Sequence, residues 1–272
     1  MTDKAELLRA LHRGPDILVL PNAWDAISAR LFESEGFPAV ATTSAGMANA
    51  LGYSDGGAVP PREMIEAVAR ITRAVKVPVT ADIEHAYGAT PSAVADVVLR
   101  VIAAGAVGIN IEDIVPGATQ LEDLTLQADK ITTIAKAAQT AGVKVVINAR
   151  TDVFLRQIGP PEGRLALAIE RGKAFLAAGA DCVFVPFVKD ADTIRALVQG
   201  IGPINILATK GVPAIPELKA LGVARVSVGS GPHRATLALI RDIARELKST
   251  GTYDGFTKHA LRGDEANGLM TS

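Results

Sequence analysis

The stretch Val77-Pro78-Val79-Thr80-Ala81-Asp82-Ile83-Glu84 joins an apolar, β-branched run directly to two acids. Side chains alternate along an extended chain, so Asp82 and Glu84 point to the same face. Proteins of the α/β class usually present their polar sites where a buried strand ends in this way. Two neighbouring carboxylates repel each other, and each therefore needs a proton or a cation nearby. The stretch predicts a buried strand with an acidic site at its carboxyl end.

The composition narrows the class of protein. The chain has 272 residues, of which 49% are hydrophobic and only 4% aromatic, and this suits many buried strands covered by closely packed helices. A formal net charge of −1 provides no basic field for nucleic acid, so we expect no nucleic-acid partner. The single cysteine, Cys182, excludes an intramolecular disulfide and a cysteine-based zinc site. Residues 1–13 lack the apolar core of a secretory signal, and no apolar run approaches the roughly 20 residues that span a bilayer. We therefore expect a cytoplasmic protein that does not bind membranes.

Short β-branched runs alternate with longer amphipathic stretches along the whole chain. Several of the longer stretches begin with proline, which helices tolerate in their first turn. The predicted strands are Ile17–Leu20, Ala39–Thr43, Val77–Asp82, Gly108–Glu112, Val145–Arg150, Cys182–Val185, Asn205–Ala208 and Arg225–Val228. The predicted helices are Asp25–Ser34, Pro61–Val75, Pro91–Ala103, Leu124–Thr140, Pro161–Ala177, Ala191–Val198, Ile215–Ala220, Pro232–Lys248 and, in the tail, Gly255–Leu261.

A repeated glycine supports this division. Helices often end at a glycine in the left-handed backbone conformation, and five of the predicted helix-to-strand turns contain a glycine. These glycines are Gly36, Gly105, Gly142, Gly179 and Gly222. Eight units of one strand and one helix in about 250 residues predict an α/β fold of the (β/α)8 TIM-barrel type, with a doubly wound sheet as the alternative. We expect one barrel domain over residues 1–272 with a C-terminal helical extension at about 232–272.

In a barrel the carboxyl ends of the strands meet at one mouth. Asp82, Glu84 and Glu112 therefore converge, and Asp55 is available from a long loop. Hard oxygen ligands without a Cys or His cluster indicate Mg²⁺ or, alternatively, Mn²⁺. Arg150, on the next strand, is placed to contact the anionic end of a substrate such as an α-oxo carboxylate. The alternative interpretation of these residues is a structural network of ion pairs lining the barrel.

The loop Gly229-Ser230-Gly231 before Pro232 allows a second interpretation. It resembles a phosphate cradle at a helix start, of the kind that barrels place after their last strands. Short Gly-rich loops often serve only the turn, however, and Pro232 removes one helix N-terminal donor. The loop alone therefore leaves phosphate binding and simple turn formation both open.

In this order, the motifs at the strand ends resemble those of the isocitrate lyase/phosphoenolpyruvate mutase superfamily. The resemblance covers most of the chain, from about Pro21 to Gly255. The matching motifs are Asn22-Ala23-Trp24-Asp25-Ala26, Thr43-Ser44-Ala45-Gly46, Leu51-Gly52-Tyr53-Ser54-Asp55, Asp82-Ile83-Glu84 with Tyr87-Gly88, Gly108-Ile109-Asn110-Ile111-Glu112-Asp113, Asn148-Ala149-Arg150-Thr151-Asp152 and Pro203-Ile204-Asn205.

The resemblance implies a role for each site residue. It implies that Asp82 binds Mg²⁺ directly while Asp55, Glu84 and Glu112 hold its waters. It also implies that Arg150 binds and polarises the reacting group. The implied substrate-binding residues are Trp24, Ser44, Ala45, Gly46, Arg150 and Asn205, and the implied substrate is a small 2-oxo acid. Members are usually homodimers or homotetramers that swap the C-terminal helix, here near Pro232–Ser249.

The departures from the superfamily pattern bear on the reaction. The lid segment Ile114-Val115-Pro116-Gly117-Ala118-Thr119-Gln120-Leu121 lacks the Lys-Lys-Cys-Gly-His motif of isocitrate and methylisocitrate lyases, and Cys182 lies on a distant strand. The same segment lacks the Lys and Asn that the resemblance associates with phosphorus–carbon chemistry. Glu84 stands where many members have Asp. His85, beside the acids, is either a catalytic proton carrier or an ordinary loop histidine.

Three functions remain at this point. The first is a Mg²⁺-dependent lyase that cleaves a carbon–carbon bond of a small 2-oxo or 2-hydroxy carboxylate through an enolate, with Arg150, Glu112 and His85 as candidate catalytic residues. The second is phosphonopyruvate hydrolysis or phosphoenolpyruvate mutation. The third is a non-catalytic protein that binds 2-oxo acids, which the missing lid cysteine suggests.

Overall fold

Parallel strands and helices alternate through most of the computed structural model, which describes residues 1–114, 117–258 and 260–271. The strands are β1 Leu18–Leu20, β2 Asn22–Ala23, β3 Val40–Thr42, β4 Val79–Asp82, β5 Gly108–Glu112, β6 Val146–Arg150, β7 Cys182–Phe184, β8 Ile204–Leu207 and β9 Arg225–Ser227. The helices are α1 Thr2–Arg13, α2 Ala26–Ser34, α3 Ser44–Ala50, α4 Pro61–Ala74, α5 Pro91–Ala103, α6 Leu124–Thr140, α7 Arg164–Ala177, α8 Ala191–Ile201, α9 Ile215–Ala220, α10 Gly231–Ser249, α11 Asp254–Thr257 and α12 Gly263–Thr271. No helix in this described part is long and apolar enough to cross a membrane.

The nine strands form one parallel sheet in the order β1-β9-β8-β7-β6-β5-β4-β3-β2. β1 and β2 are separated only by Pro21, yet β1 pairs with β9 and β2 pairs with β3. The two edges of the sheet are therefore carried by one short segment, and the sheet curls into a nearly closed barrel. This confirms the predicted TIM barrel and excludes the open, doubly wound sheet.

Inward and outward side chains of the strands differ in character. The outward residues Ile109, Ile111 and Ile147 are at most 1% exposed and belong to the apolar layer under the helices. The inward residues alternate with them, because side chains of a strand point to opposite faces in turn. On β5 the inward Asn110 and Glu112 are polar, whereas small barrels usually fill their interior with branched apolar residues. The polar interior is therefore the unusual feature of this fold, and the site is built there.

All eight predicted strands are confirmed, with ends shifted by at most two residues. The short β2 was not predicted, because Pro21 interrupts the pattern. Three helices were also missed: α1, whose charged sequence was considered only as a signal, α3, which is rich in Ala and Gly, and α12 in the tail. The predicted tail helix Gly255–Leu261 is confirmed only in its first residues, since α11 ends at Thr257.

Helix α1 covers the amino ends of the central strands. The Leu8 side chain is fully buried next to Gly108 at the start of β5. Arg9 donates hydrogen bonds of 3.1 Å to the carbonyls of Lys144 and Val145 and pairs with Asp181 at 2.7 Å. These contacts seal the end of the barrel opposite the mouth.

His12 of α1 is also buried against this end and is 7% exposed. Its Nδ1 lies 2.8 Å from the Leu8 carbonyl oxygen, and its buried Nε2 has no hydrogen-bond partner within residues 1–114, 117–258 and 260–271. Burial, followed by the positive charge of Arg225, lowers the pKa of His12 to about 4. The imidazole is therefore neutral in the folded protein at neutral pH.

The buried imidazole makes stability depend on pH. A pKa lowered from 6.5 to about 4 means that the His12 contribution is complete above pH 6.5 and is lost as the pH falls towards 4. Between pH 7.5 and pH 5 the unfolding free energy should fall by about 2 kcal/mol through this residue. Urea unfolding of wild type and His12→Gln at both pH values measures it, since the advantage of wild type should shrink by that amount. An advantage that does not change with pH would contradict the assignment.

Candidate active site

The Asp82 carboxylate lies at the carboxyl end of β4 and accepts three hydrogen bonds. The Ser44 N–H and hydroxyl donate to Oδ2 at 2.9 and 2.7 Å, and Asn110 Nδ2 donates to Oδ1 at 2.8 Å. Asn110 is positioned in turn by Asn148, whose Nδ2 donates to its Oδ1 at 2.9 Å. A carboxylate oxygen has two lone pairs, so Oδ1 keeps one for a further ligand. The carboxylate is thus held rigidly with one acceptor position left.

Glu84 follows Asp82 on a strained turn. Its backbone has a φ of +53°, and Ala86 and Tyr87 have φ values of +60° and +55°. Such left-handed conformations cost energy for residues other than glycine and are concentrated at functional sites. Gly57 N–H donates to Glu84 Oε1 at 3.1 Å, whereas no hydrogen-bond partner of the buried Oε2 is found in the described part of the chain. Burial, and then the charge of Asp82, raises the pKa of Glu84.

Arg150, at the end of β6, is clamped by two acids. Its Nε and Nη2 donate to Asp152 at 2.6 and 3.0 Å, and its Nη1 lies 2.7 Å from Glu112 Oε2. Asp152 is fully buried, so this pair is rigid. Burial raises the pKa of Glu112 to about 8 against the opposing charge of Arg150. The planar guanidinium is therefore presented to the barrel mouth in one orientation.

A second ion pair supports this clamp from behind. Arg171 of α7 donates from Nε to Asp113 Oδ2 at 2.6 Å, and the other Asp113 oxygen accepts the Asp152 N–H at 2.9 Å. Arg171 Nη2 also donates to the Glu122 carbonyl at 2.9 Å, just after the lid. Asp113 and Arg171 were not predicted as site residues, although Asp113 belongs to a quoted motif. Their role is to position Asp152 and the base of the lid.

These acids fit a hard divalent cation. Asp55, Asp82, Glu84 and Glu112 all face one cavity, and the unpartnered Glu84 Oε2 is the kind of acceptor that an ion-bound water would satisfy. Within the described residues, no three His, Cys, Asp or Glu side chains form a group that would bind an ion together. An ion at Asp82 would therefore take one carboxylate directly and reach the other acids through water, as Mg²⁺ usually does.

The cavity at the mouth has a volume of about 270 Å³ and is lined by both acidic and apolar residues. Its apolar lining includes Leu155, Phe184, Phe187 and Leu207, which would exclude water from a bound ligand. Phe187 has a φ of +69°, an uncommon conformation for a bulky residue, and is 47% exposed at the rim. The arrangement can therefore hold a small anionic molecule between an acidic wall and an apolar one.

The structure brings some predicted substrate-binding residues to the cavity and places others behind it. Ser44 and Ala45 line the cavity, but the Ser44 donors are engaged by Asp82. Gly46 lies behind, with its N–H directed to Thr43 Oγ1 at 3.4 Å. The Trp24 ring is also behind the wall, where it packs edge-on against His233 with ring centroids 5.2 Å apart.

Asn205 and His85 are likewise not in the wall. Asn205 is fully buried and exchanges hydrogen bonds of 3.1 and 3.2 Å with Ser227, which does line the cavity. The His85 ring packs against Tyr87 at 5.5 Å, outside the lining, and burial lowers its pKa. His85 therefore lies beside the cavity wall, and its predicted catalytic role stays a prediction.

The backbone N–H groups at the start of the glycine-rich loop after β9 donate hydrogen bonds to Asn22. Asn22 Oδ1 accepts the N–H groups of Val228 and Gly229, both at 2.9 Å. These amides are the donors that a phosphate cradle would need. The loop therefore serves to join β9 to the β1–β2 segment, and Gly229 and Ser230 contribute to the cavity wall.

The two ends of the lid segment are joined to each other. Ile114 and Leu121 form an antiparallel bridge that closes its base. Val115 and Pro116 lie outside the described residues. Cys182, at the start of β7, is fully buried, and burial raises the pKa of its thiol to about 12. It is a neutral interior residue, as expected from its strand position.

Arg225 was missed by the sequence reasoning, which treated it only as part of a strand. It is 2% exposed and lines the cavity, and its buried Nε and Nη1 have no hydrogen-bond partner among the residues that the structure describes. Burial lowers its pKa to about 10. The available signal was a lone arginine in the otherwise apolar strand Arg225–Val228.

The chain is similar to several known proteins in sequence and in fold. A family model described as phosphoenolpyruvate phosphomutase matches residues 8–248. An uncharacterised protein of Mycobacterium tuberculosis is 39% identical over 87% of both chains, and an oxaloacetate decarboxylase of Rhodopseudomonas palustris is 30% identical over 98% of this chain and 91% of that one. The crystal structure of phosphonopyruvate hydrolase with oxalate and Mg²⁺ is 25% identical, with a TM-score of 0.86 over 99% of this chain and 95% of that one.

Proposed function

Because the chain belongs to the phosphoenolpyruvate phosphomutase family, we propose that it is a Mg²⁺-dependent lyase that breaks a carbon–carbon bond of a small 2-oxo or 2-hydroxy carboxylate through an enolate. The observation that carries this proposal is the pairing of a fixed Asp82 with a clamped Arg150 across one small cavity. The family comprises lyases and mutases, so the coarse class, an enzyme acting on small organic acids, follows from membership.

The ion would be held by Asp82 directly and by Asp55, Glu84 and Glu112 through water. When bound, Mg²⁺ or Mn²⁺ withdraws electron density from substrate oxygens and stabilises negative charge that develops on them. Ser44 and Asn110 keep the Asp82 carboxylate in place, so no reorganisation of this ligand is needed on binding. The support for this assignment is the chemistry of the donor set and the orphaned Glu84 oxygen.

Arg150 binds the substrate beside the metal position. Its guanidinium is held by Asp152 and Glu112, so it can orient an anionic oxygen without moving. Fixed donors that need no rearrangement are the largest single contribution to stabilising a developing oxyanion. Phe184, Phe187 and Leu207 exclude water from the other side, which strengthens these charge interactions.

Carbon–carbon cleavage is favoured over phosphorus–carbon chemistry by the lid. The segment from Ile114 to Leu121 carries no Lys and no Asn, the residues implied for the phosphonate reactions. A relative that is 30% identical over nearly the whole chain is named for oxaloacetate decarboxylation, which is a carbon–carbon cleavage. Phosphonopyruvate hydrolysis stays as the second candidate, because a structure of that name shares the fold.

A substrate panel separates these functions. Purified protein is assayed with Mg²⁺ and with EDTA, recording pyruvate or glyoxylate release from 2-oxo and 2-hydroxy di- and tricarboxylates. Phosphate release from phosphonopyruvate is recorded in parallel. We expect Mg²⁺-dependent release from a carbon substrate and none from phosphonopyruvate. Tight oxalate binding without turnover of any compound would instead favour the non-catalytic binder.

We also propose that the chain acts as a homo-oligomer. Helix α10 is 19 residues long, and His233 is its one buried residue. Its exposed apolar residues include Leu237, Leu239 and Ile240, which are 45%, 47% and 60% exposed. A helix with this much apolar exposure is typical of an interface between copies. This supports the predicted homodimer or homotetramer through Pro232–Ser249.

A negative charge on the exposed face of α10 should therefore dissociate the oligomer. Ile240→Glu places a carboxylate on the most exposed of these apolar positions, and burying it in an interface without a partner is unfavourable. Sedimentation or light scattering should show wild type as an oligomer and Ile240→Glu as a smaller species. Lys136→Glu, on the exposed side of α6, is the matched control and should keep the wild-type mass. A monomeric wild type would refute the oligomer.

A further inference from the structure

Three arginines line the cavity, and two of them are already paired. Arg150 contacts Asp152 and Glu112, and Arg156 lies 3.5 Å from Asp152. Arg225 differs, since its Nε and Nη1 are buried with no hydrogen-bond partner among the described residues. Leaving a buried guanidinium unpaired is costly, because the charged group has lost its water without gaining an acceptor. The folded protein therefore keeps an energetically unfavourable group, the Arg225 guanidinium, at the cavity wall.

The position of Arg225 explains why it meets the cavity. It is the first residue of β9, in register with Leu18 of β1 and Asn205 of β8. Val226 points outward and is fully buried, whereas Arg225 and Ser227 both line the cavity. The arginine thus enters the barrel interior at the level of the strand starts, below Ser227. It forms the deep end of the cavity, on the side of the strand starts, whereas Asp82, Glu112 and Arg150 are the last residues of their strands.

Among the described residues no carboxylate forms an ion pair with Arg225, and the acid whose charge acts on it is Asp82, at longer range. Two other titratable neighbours, His12 and Cys182, are neutral near pH 7. Burial lowers the pKa of His12 to about 4 and raises the pKa of Cys182 to about 12. The Asp82 carboxylate already accepts hydrogen bonds from Ser44 and Asn110. Arg225 therefore has free donors at the cavity, and its charge is offset only by the more distant Asp82.

A second donor also lies deeper than Asp82. The Thr80 hydroxyl, two residues before Asp82 on β4, belongs to the cavity wall and is buried with no hydrogen-bond partner among the described residues. Two unpartnered donors, one of them cationic, suit an oxyanion, and a planar guanidinium matches a carboxylate in particular. The acids and the metal position lie above this level, so the cavity has two separate places for anionic groups.

We propose that Arg225 binds a second carboxylate of the substrate at the deep end of the cavity, with Thr80 as an accessory donor. This rests on the proposed function, because the first carboxylate must be held near Asp82 and Arg150. The substrate is then a dicarboxylate that stands along the barrel axis. Arg225 determines specificity, since a monocarboxylate would leave the guanidinium buried and unpaired.

Matched pairs of ligands test this proposal. Malate and 2-hydroxybutanoate, like 2-oxoglutarate and 2-oxopentanoate, differ in a terminal carboxylate against a methyl group. Calorimetry on the Mg²⁺-loaded full chain should show the fitting diacid binding about 100-fold more tightly than its monoacid partner. Arg225→Met should reduce this preference to less than threefold and leave oxalate affinity within about twofold, because oxalate is too short to reach the deep end.

The variants also separate binding from a structural role. Arg225→Met removes an unpaired buried charge, so its unfolding midpoint without ligand should equal or exceed that of wild type. Thr80→Val keeps the shape and removes one donor, and it should weaken diacid binding about tenfold without affecting the monoacid. A lower midpoint with unchanged diacid preference would overturn the proposal and make Arg225 a packing residue.

Two further outcomes bear on the proposal separately. Wild type that binds diacid and monoacid equally, yet binds oxalate only with Mg²⁺, would overturn the role of Arg225 and leave the proposed function standing. Oxalate binding that ignores Mg²⁺ would count against the metal-dependent function itself. In that case a diacid preference that Arg225→Met abolishes would still support the deep carboxylate site.

Discussion

Asp82→Asn is expected to lower turnover by about 10³-fold and to abolish the dependence of the remaining activity on Mg²⁺. The substitution keeps the shape of the side chain but removes its charge and one acceptor. In the structure both Asp82 oxygens are engaged by Ser44 and Asn110, so the ion depends on the one lone pair left at Oδ1. An amide nitrogen facing either Asn110 or the Ser44 donors would also turn an attractive contact into a repulsive one.

Calorimetric titration with Mg²⁺, alongside turnover on the best substrate of the panel, measures both parts of this expectation. Asp96→Asn is the matched control, because Asp96 is exposed on α5 and faces away from the site. In the ligand-free Asp82→Asn protein the pKa of the neighbouring Glu84 should fall, since the charge of Asp82 contributes to raising it. Turnover within tenfold of wild type, with the Mg²⁺ requirement intact, would refute Asp82 as the direct ligand.

Arg150→Lys should reduce kcat by about 100-fold while the fold is retained. Arg150 bridges Asp152 and Glu112 with three separate nitrogens, and a single ammonium on a flexible stem cannot reproduce that geometry. The positive charge between the two acids is kept, so neither carboxylate is left unpaired. The loss should therefore appear mainly in kcat, where orientation of the reacting oxygen matters, with a smaller change in KM.

Arg150→Met supplies the contrast. It leaves the fully buried Asp152 beside Glu112 without a cation between them. Because of this, the unfolding free energy should fall by about 3–5 kcal/mol. Arg100→Lys on α5 is the control for both variants, since Arg100 is exposed on the outer layer. Equal kcat values for Arg150→Lys and wild type would show that the clamp is structural and that the substrate contacts another group.

Local pattern was sufficient for the barrel itself. The strand Gly108–Glu112 was predicted to the residue, because β-branched composition and a preceding glycine are properties of a few neighbouring positions. The same reasoning missed α3, where Thr43 caps a helix of small residues that carry no periodic apolar signal. It also missed the break at Pro21, since the different partners of β1 and β2 are set by the closure of the sheet.

The acids of the site were predictable for the same reason. Asp82 and Glu112 each follow a recognisable strand, and adjacent parallel strands place their ends together. Trp24 and Asn205, which the family resemblance implied as substrate-binding residues, lie behind the cavity wall instead. Being near a strand end does not decide whether a side chain turns into the mouth or packs sideways.

The sequence alone therefore determined the eight longer strands, most of the helices, the barrel, and the convergence of Asp55, Asp82, Glu84 and Glu112. Tertiary structure decided which of the polar groups are already satisfied. Ser44 proved to be engaged by Asp82, 38 residues away, and Arg225 proved to have two buried nitrogens without a hydrogen-bond partner among the described residues. Hydrogen bonding and burial depend on neighbours that are distant in the chain, so an unpaired arginine in a strand becomes visible only when the barrel is closed around it.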